Sequence, residues 1–274
     1  MKKTNFRFLL YFTLVLCSIG FIMPVLFIFI TSLGDMTRGL TIFPDKLHFE
    51  NYFYALVYIP FWQYFKSSLI ICVISLVFSV TASLVYGFAF ARLHAPGKNL
   101  LFSLCISTLM IPGIATQIPQ YIMYSKMGLR DTYWIWVIVG MAGNAYLVFL
   151  FRQYFSSIPK EIEEAGIIDG CSTFGLLTRI FIPISKSVIV VAMVLSLQWT
   201  WNDYSMPFMY LSEDKFTLAL GMIFRGYTIP NSPDIPLMPL RSCGAIILSI
   251  PVLVIFFIAQ KYLREGIVAG AVKG

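Results

Sequence analysis

Few residues in this chain have chemistry to offer, and they fall in two places. Between Arg152 and Lys186 the sequence reads RQYFSSIPKEIEEAGIIDGCSTFGLLTRIFIPISK, which gathers Glu161, Glu163, Glu164 and Asp169 into one short stretch. Clustered carboxylates relay protons, hold a metal or meet a basic partner, and the first two roles want a His or a Cys pair alongside. Neither is there: His48 and His94 lie far away in separate loops, and the five cysteines (Cys17, Cys72, Cys105, Cys171, Cys243) are odd in number and widely spaced. The second place is Trp199, Trp201, Asn202 and Asp203. Aromatic faces beside amide and carboxylate groups suit sugar rings and hydroxyls, although tryptophan is equally the residue of the membrane interface. Asn144 and Gln198 add amides within apolar runs, where hydrogen bonding between helices competes with solute contact. Gly97-Lys98 lacks the preceding glycine and following Ser or Thr of a phosphate-binding loop, so the chain is expected to bind no cofactor of its own.

The scaffold that holds these residues is not built for water. Of 274 residues, 58% are hydrophobic and 12% charged, with mean hydropathy +0.80, whereas a soluble domain carries about 25% charged residues. A soluble enzyme, a disordered chain and a disulfide-stapled secreted domain are excluded. Each charge at mid-bilayer costs about 2.5–3.5 kcal/mol, so stretches almost free of charge mark the spans. Residues 8–33, 67–91, 99–125, 132–151, 187–210 and 241–260 are six such stretches, each near the ~20 residues that a bilayer requires. The run from Ser67 to Phe90 is apolar all round rather than alternating, as in a lipid-embedded helix and unlike a barrel strand. The expected fold is an all-α membrane protein with six transmembrane helices, a single domain over 1–274.

An even number of spans puts both termini on one side. With the amino terminus cytoplasmic, the inner segments take 12 of the 20 basic residues and five of the 13 acids, which assigns the whole net charge of +7 to that face. The pI of 9.1 therefore reports topology and not nucleic acid, which would need basic residues clustered on one soluble face. Lys2, Lys3 and Arg7 precede an apolar run as in a signal peptide, but the run outlasts the 7–15 residues of a signal core and is read as a retained first helix.

The cytoplasmic loop 152–186 is longer than a connection between neighbouring helices needs. Pro159 suits a first helical turn, Glu161, Glu163 and Glu164 favour the positive end of that helix, and Gly170 suits a left-handed stop. Ser172 then caps a second helix with Phe174, Leu177 and Phe181 on one face, until Pro183 leads into the fifth span. This helix, sharp turn and helix is either an amphipathic connector on the headgroups or a docking knob for a protein; its acidic half favours the knob, because the cytoplasmic leaflet is negative. On the other face, the outer loop 211–240 carries Pro230, Pro233, Pro236 and Pro239 and is expected to be extended, stiff and exposed.

Glu164-Ala165-Gly166, with Gly170, Ile180 and Ile182-Pro183 after it, resembles the EAA loop of binding-protein-dependent ABC import permeases. FKSSLI at Lys66, YGFAFARLHAPGK (86–98), MIPGIATQIPQYIMYSKMGLRDTYW (110–134), FLFRQYFSSIPKEIEEAG (149–166), WNDYSMPFMYLSE (201–213) and REGIVAGAVKG (264–274) follow the same order. Together they resemble the carbohydrate-uptake class, specifically its smaller, maltose-permease-type subunit. The departures are Gly166, where the family usually has Ala, and Ile182, where Leu is common; glycine weakens a helix by up to about 1 kcal/mol relative to alanine.

The resemblance implies the type I ABC importer permease fold in a prokaryotic inner or plasma membrane. It implies an ATPase-coupling surface of Glu161, Glu164, Ala165, Gly166, Asp169, Gly170, Ile180 and Pro183. The tail 261–274 would reach between ATPase subunits with Gly270, Ala271, Val272, Lys273 and Gly274. Asn202, Asp203, Trp199, Trp201 and Asn144 are candidates for the path of a sugar or oligosaccharide. The implied partners are a second permease subunit in a heterodimer, a cytoplasmic ATPase dimer using ATP and Mg, an extracellular solute-binding protein, the sugar and the lipid bilayer, with no nucleic acid. No catalytic or metal site is implied. Import of another polar solute and an ion-driven carrier are the alternatives; the first four spans hold no ionisable relay, which weighs against the carrier.

Overall fold

The computed structural model describes residues 2–36, 44–224, 228–229, 232–236 and 238–271. Helix α1 (Lys2–Ser32) is followed by α2 (Glu50–Val57) and α3 (Phe61–Ser75), which passes through a π-helical turn at Leu76–Val80 into α4 (Thr81–Arg92). Next come α5 (Lys98–Ser107), α6 (Gly113–Lys126), α7 (Trp134–Met141), α8 (Ala145–Ser157) and α9 (Lys160–Ile168). The short α10 (Thr173–Gly175), a π-helical segment at Leu176–Phe181 and α11 (Ile182–Ile184) lead to α12 (Lys186–Trp201), α13 (Ser205–Tyr210) and α14 (Leu218–Phe224). A small hairpin, β1 (Thr228–Ile229) antiparallel to β2 (Ser232–Pro236), precedes the long α15 (Met238–Ala271).

Four helical stretches are long and apolar enough to cross a membrane: Leu9–Ser32, Phe61–Arg92, Trp134–Ser157 and Met238–Tyr262. Two bent pairs raise the number to six if each pair is one span. In the first, Lys98–Met110 meets Gly113–Lys126 at 103°, so the stretch 99–125 bends sharply beside Pro112. Ile111 and Pro112 are both extended (ψ 119° and 124°), as the ring of a proline imposes on the residue before it. In the second, Thr173–Ile184 meets Lys186–Trp201 at 83°. Helix α12 then stops at Trp201, and α13 resumes after Asn202–Tyr204, so the stretch 187–210 is interrupted near Asp203.

Helix α8 runs past the stretch 132–151 to Ser157, and Arg152 lays its guanidinium over the Phe102 ring at 3.8 Å. A further expectation is corrected. The segment 211–240 is not exposed throughout. Leu211, Phe216, Thr217, Leu218, Ala219 and Leu220 are all buried, and the Leu218 N–H donates to Ser68 Oγ at 2.8 Å. The apolar FTLAL motif supplies a core face that proline content obscures. Pro239 falls in the first turn of α15, where its missing N–H costs nothing.

The chain divides into two compact units, 1–62 with 221–251 and 63–220 with 252–274. In the first, the side chain of Asn51 donates to Ser32 O and Gly34 O at 2.9 Å each, closing the carbonyl end of α1. Ser32 Oγ also pairs with Tyr52 Oη at 2.9 Å. The second unit has its centre where α4 lies against α8. Val80, Leu84 and Phe88 recur at i, i+4 and i+8 and face Leu147, Phe151 and Phe155 at the same spacing. Leu176, Leu177, Phe181, Val188 and Ala192 complete the cluster, and Phe88 sits edge-on to Phe155 and Phe181 at 6.0 and 5.0 Å. In lipid, apolarity alone does not drive helices together, so close packing must. Gly87 provides it: a Cβ there would fall on Phe151 Cβ and 3.0 Å from the Arg152 nitrogen.

Candidate functional site

The coupling surface expected between 152 and 186 is assembled by a short helix set on a rigid base. Pro159 (ψ 142°) is extended and starts α9, Glu161 and Glu163 occupy its first turn, and Gly170 turns the chain with φ +80°, a left-handed conformation that glycine takes without strain. The Ser172 hydroxyl accepts the Gly175 N–H at 3.2 Å, as the capping pattern predicts. Glu161, Glu164, Ala165, Asp169, Gly170 and Pro183 are exposed. Gly166 is buried against the π-helical segment, where a Cβ would come within 2.5 Å of Ile180 Cδ1 and 2.7 Å of Leu176 Cδ2. Glycine at this position thus lets the two segments close on each other. Phe174 departs from expectation: it is 73% exposed, whereas Leu177 and Phe181 are buried. The π-helical winding of Leu176–Phe181 takes more residues per turn, so the 3.6-residue face does not carry through.

One residue beneath this surface escaped the sequence reading. Arg92, at the end of α4, is buried, and its guanidinium donates to Glu163 Oε2 at 3.1 Å and to the carbonyls of Phe155 and Ile158. It lies 5.1 Å from the centre of the Phe181 ring. The two carbonyls belong to the open end of α8, so the arginine closes that helix and fastens α9 to it through one side chain. Glu163 therefore turns inward while Glu161 and Glu164 stay exposed. The 71 positions between Arg92 and Glu163 leave no local signal of the pair.

The second region is a cavity of about 610 Å³. It gathers Asn144, Trp199, Asn202 and Asp203 from the expected path, and adds Ser75, Ser79, Trp136, Ser196, Gln198 and Thr200. Trp201 is not among them: it is 3% exposed and edge-on to Phe65 at 6.0 Å. Two helix interruptions shape the wall. Between α7 and α8, Gly143 takes a left-handed φ of +76° that interrupts the helix, and Asn144 Oδ1 accepts the N–H groups of Tyr146 and Leu147 at 2.9 and 3.2 Å. Asn144 is therefore a helix cap and not a mid-helix amide. Between α12 and α13, Asp203 Oδ1 accepts the N–H groups of Ser205 and Met206 at 2.9 and 3.2 Å.

The hydroxyls of this wall are left open, as are those of Ser125 and Ser185 outside it, in contrast to several along the helices. Thr13, Ser18, Ser107 and Ser249 bond to a carbonyl one turn back on their own helices. Ser75, Ser79, Ser196 and Thr200 make no side-chain hydrogen bond to the described residues, and neither does the Gln198 amide. Polar groups left open within apolar helices need water or a solute. Their i, i+4 spacing, Ser75 with Ser79 and Ser196 with Thr200, is the signal that the sequence reading passed over.

Close by in sequence, Asp131 (φ 56°) staples the connection after α6 to the stretch after α13. Its N–H donates to Tyr210 O at 2.7 Å, Oδ1 accepts from Ser212 N–H and Oγ, and Oδ2 accepts from Lys215 Nζ at 2.8 Å. Burial, the largest single influence, pushes the carboxyl up, but the combined hydrogen bonds of Lys215 and Ser212 hold it down at about 2. Of the expected tail, Gly270 and Ala271 continue the α15 backbone, and Val272, Lys273 and Gly274 lie outside the described residues.

Comparison with known proteins converges on one family. Residues 79–269 match the model for the binding-protein-dependent transport system inner membrane component. The arabinooligosaccharides transport system permease protein AraQ of Halalkalibacterium halodurans is 30% identical over 87% of this chain and 85% of its own length. Among solved structures, a chain of a bacterial ABC transporter involved in the import of the acidic polysaccharide alginate superposes with TM-score 0.81 at 20% identity, covering 96% of this chain and 98% of that one. A chain of a bacterial alginate ABC transporter in complex with an alginate pentasaccharide-bound periplasmic protein gives TM-score 0.66 at 14% identity over 96% of each chain. These likenesses establish the fold. The match across most of the chain, together with its apolar helices, shows that the protein belongs to the binding-protein-dependent transport system inner membrane components, as a membrane permease subunit and not an enzyme in its own right.

Proposed function

We propose that this chain is one of two permease subunits of an ATP-driven, binding-protein-dependent importer of a sugar or oligosaccharide. The observation that carries the reading is the division of α9 into two faces: Glu161, Glu164 and Ala165 outward, Glu163 and Gly166 inward. A cytoplasmic ATPase dimer, which binds the ATP and Mg, grips the outward face; the inward face passes the displacement through Arg92 to α4 and α8. The six spans, with each bent pair counted as one, put both termini in the cytoplasm, and the whole chain acts as a single permease domain. The carboxy-terminal residues 270–274 contact the ATPase subunits. A second permease closes the path in a heterodimer, and an extracellular solute-binding protein delivers the solute. The relatives support the solute class: AraQ is named for arabinooligosaccharides, and the transporter structures for alginate, one with a saccharide-bound periplasmic protein. Asn144, Trp199, Asn202 and Asp203 contribute to the path.

The test is a mild-detergent purification of the tagged chain from its native membrane, with identification of what accompanies it. Recovery of an ATPase and a second permease is expected. Loss of the ATPase on Glu164→Ala or Gly170→Asp, with membrane insertion intact, assigns docking to α9. A chain that purifies alone, or normal ATP-driven uptake with both substitutions present, overturns the reading.

A further inference from the structure

We infer that the solute unit held by the cavity is uncharged, and that Asp203 turns anionic sugars away; the inference rests on the importer reading above. Asp203 is the one ionisable side chain in the cavity lining, which contains no Lys, Arg or His. Its Oδ1 is occupied by the N–H groups of Ser205 and Met206, whereas Oδ2 meets no described residue. That oxygen accepts a hydroxyl from a neutral sugar and repels a uronate carboxylate. An anionic sugar needs a basic fork to offset its desolvation, and the lining offers none. What it does offer suits a neutral ring: the exposed Trp199 indole for its apolar face, with Ser79 and Gln198 still open to its hydroxyls. The solved transporters of similar fold include one for an acidic polysaccharide, so the fold by itself does not set the charge of the cargo. The lining does.

The experiment places Ser79→Cys in the chain, assembles it with its partner subunits in vesicles, and measures thiol labelling by a cationic and an anionic methanethiosulfonate of similar size. The parent chain supplies the background of its native cysteines. The cationic reagent is expected to react roughly tenfold faster. Asp203→Asn keeps the Oδ1 acceptor and should abolish that preference. A neutral trisaccharide such as maltotriose should slow labelling several-fold, whereas trigalacturonate should not. Thr200→Cys repeats the measurement from α12 should the first variant fail to assemble. Equal rates for the two reagents, or protection by trigalacturonate or by a protonated glucosamine trimer in place of the neutral sugar, overturns the inference. The same vesicles separate it from the importer reading. If ATP drives sugar uptake while no sugar protects the cavity, the inference falls alone; if ATP drives no uptake of any sugar, the importer reading falls with it.

Discussion

The surroundings of α9 and the wall of the cavity use polar side chains in opposite ways. Beneath α9, Arg92 is tied to two carbonyls and a carboxylate, and Gly166 leaves no gap above Ile180 and Leu176. Along the cavity, four hydroxyls and the Gln198 amide have no partner among the described residues. In the importer proposed above, the first arrangement passes a displacement on, because Arg92 and Glu163 are each held in one place. The second leaves donors and acceptors ready for whatever enters, at the expense of local stability. The proposed importer needs both, a stiff connection to its motor and an adaptable passage, in one small chain.

The comparison breaks most readily at Arg92. Arg92→Ala should destabilise the chain by about 3–5 kcal/mol, since it strands Glu163 and reopens the end of α8. Thermal unfolding of the purified assembly measures the loss. In a cycle with Glu163→Gln, the two substitutions together should cost clearly less than the sum of each alone. Additive effects would mean that Arg92 serves α8 only and that α9 is not fastened through it.

Next in size is a contrast of two glycines. Gly87→Ala should cost about 1–3 kcal/mol or more, because the new methyl meets Phe151 Cβ and the Arg152 backbone, and neither gives way. Gly166→Ala meets only the ends of Ile180 and Leu176, and gains up to about 1 kcal/mol in helix propensity, so its net effect should stay below about 1 kcal/mol. Comparable losses at the two sites would show that α9 is seated as rigidly as the α4–α8 contact.

What the sequence made legible follows the range of the interactions. The α9 turn was readable because its determinants, Pro159, Glu161, Gly170 and Ser172, act within a few residues of themselves. The break at Ile111-Pro112 is just as local, yet the charge-free gap around it reads as one span, since hydropathy is blind to direction. Arg92 with Glu163, and Ser68 with Leu218, join positions far apart in the chain, and no spacing rule announces them. The cavity lies between. Asn144, Gln198, Trp199, Asn202 and Asp203 of its lining were named from residue type, and Ser75, Ser79, Ser196 and Thr200 carried a helical period, but only the fold reveals that their hydroxyls are left open. Trp201 fails for the converse reason: beside Trp199 in sequence, it points to the opposite side of α12 and into Phe65.

A smaller effect sharpens the cavity half of the comparison. Ser79→Ala and Gln198→Ala remove groups without protein partners, so unfolding should shift by no more than about 0.5 kcal/mol. Sugar uptake by the assembled transporter should nevertheless fall. Stability lost without loss of uptake would class these side chains with the structural ones beneath α9.

The smallest expected effect concerns Asp131, whose partners are all in place but lie near the surface. Its folded value of about 2 is below the ordinary 3.8. The ionised form is therefore the one the fold favours, so the stabilisation is complete above 3.8 and disappears as the pH falls towards 2. The side chain is 45% exposed, and solvent and salt screen much of the attraction to Lys215. Melting temperatures of the wild-type and Asp131→Asn proteins, taken from pH 6 down to about pH 1.5, isolate the contribution from other carboxylates. The two curves should run apart at pH 6, begin to close below the ordinary 3.8 and meet only as the pH passes below about 2, and the gap should narrow in high salt. A gap that persists to the lowest pH would mean that the Ser212 bonds and the backbone turn at Asp131, and not its charge, hold the connection after α6, in which case this staple belongs with the neutral capping residues, Asn144 and Ser172, rather than with the ion pair of Arg92.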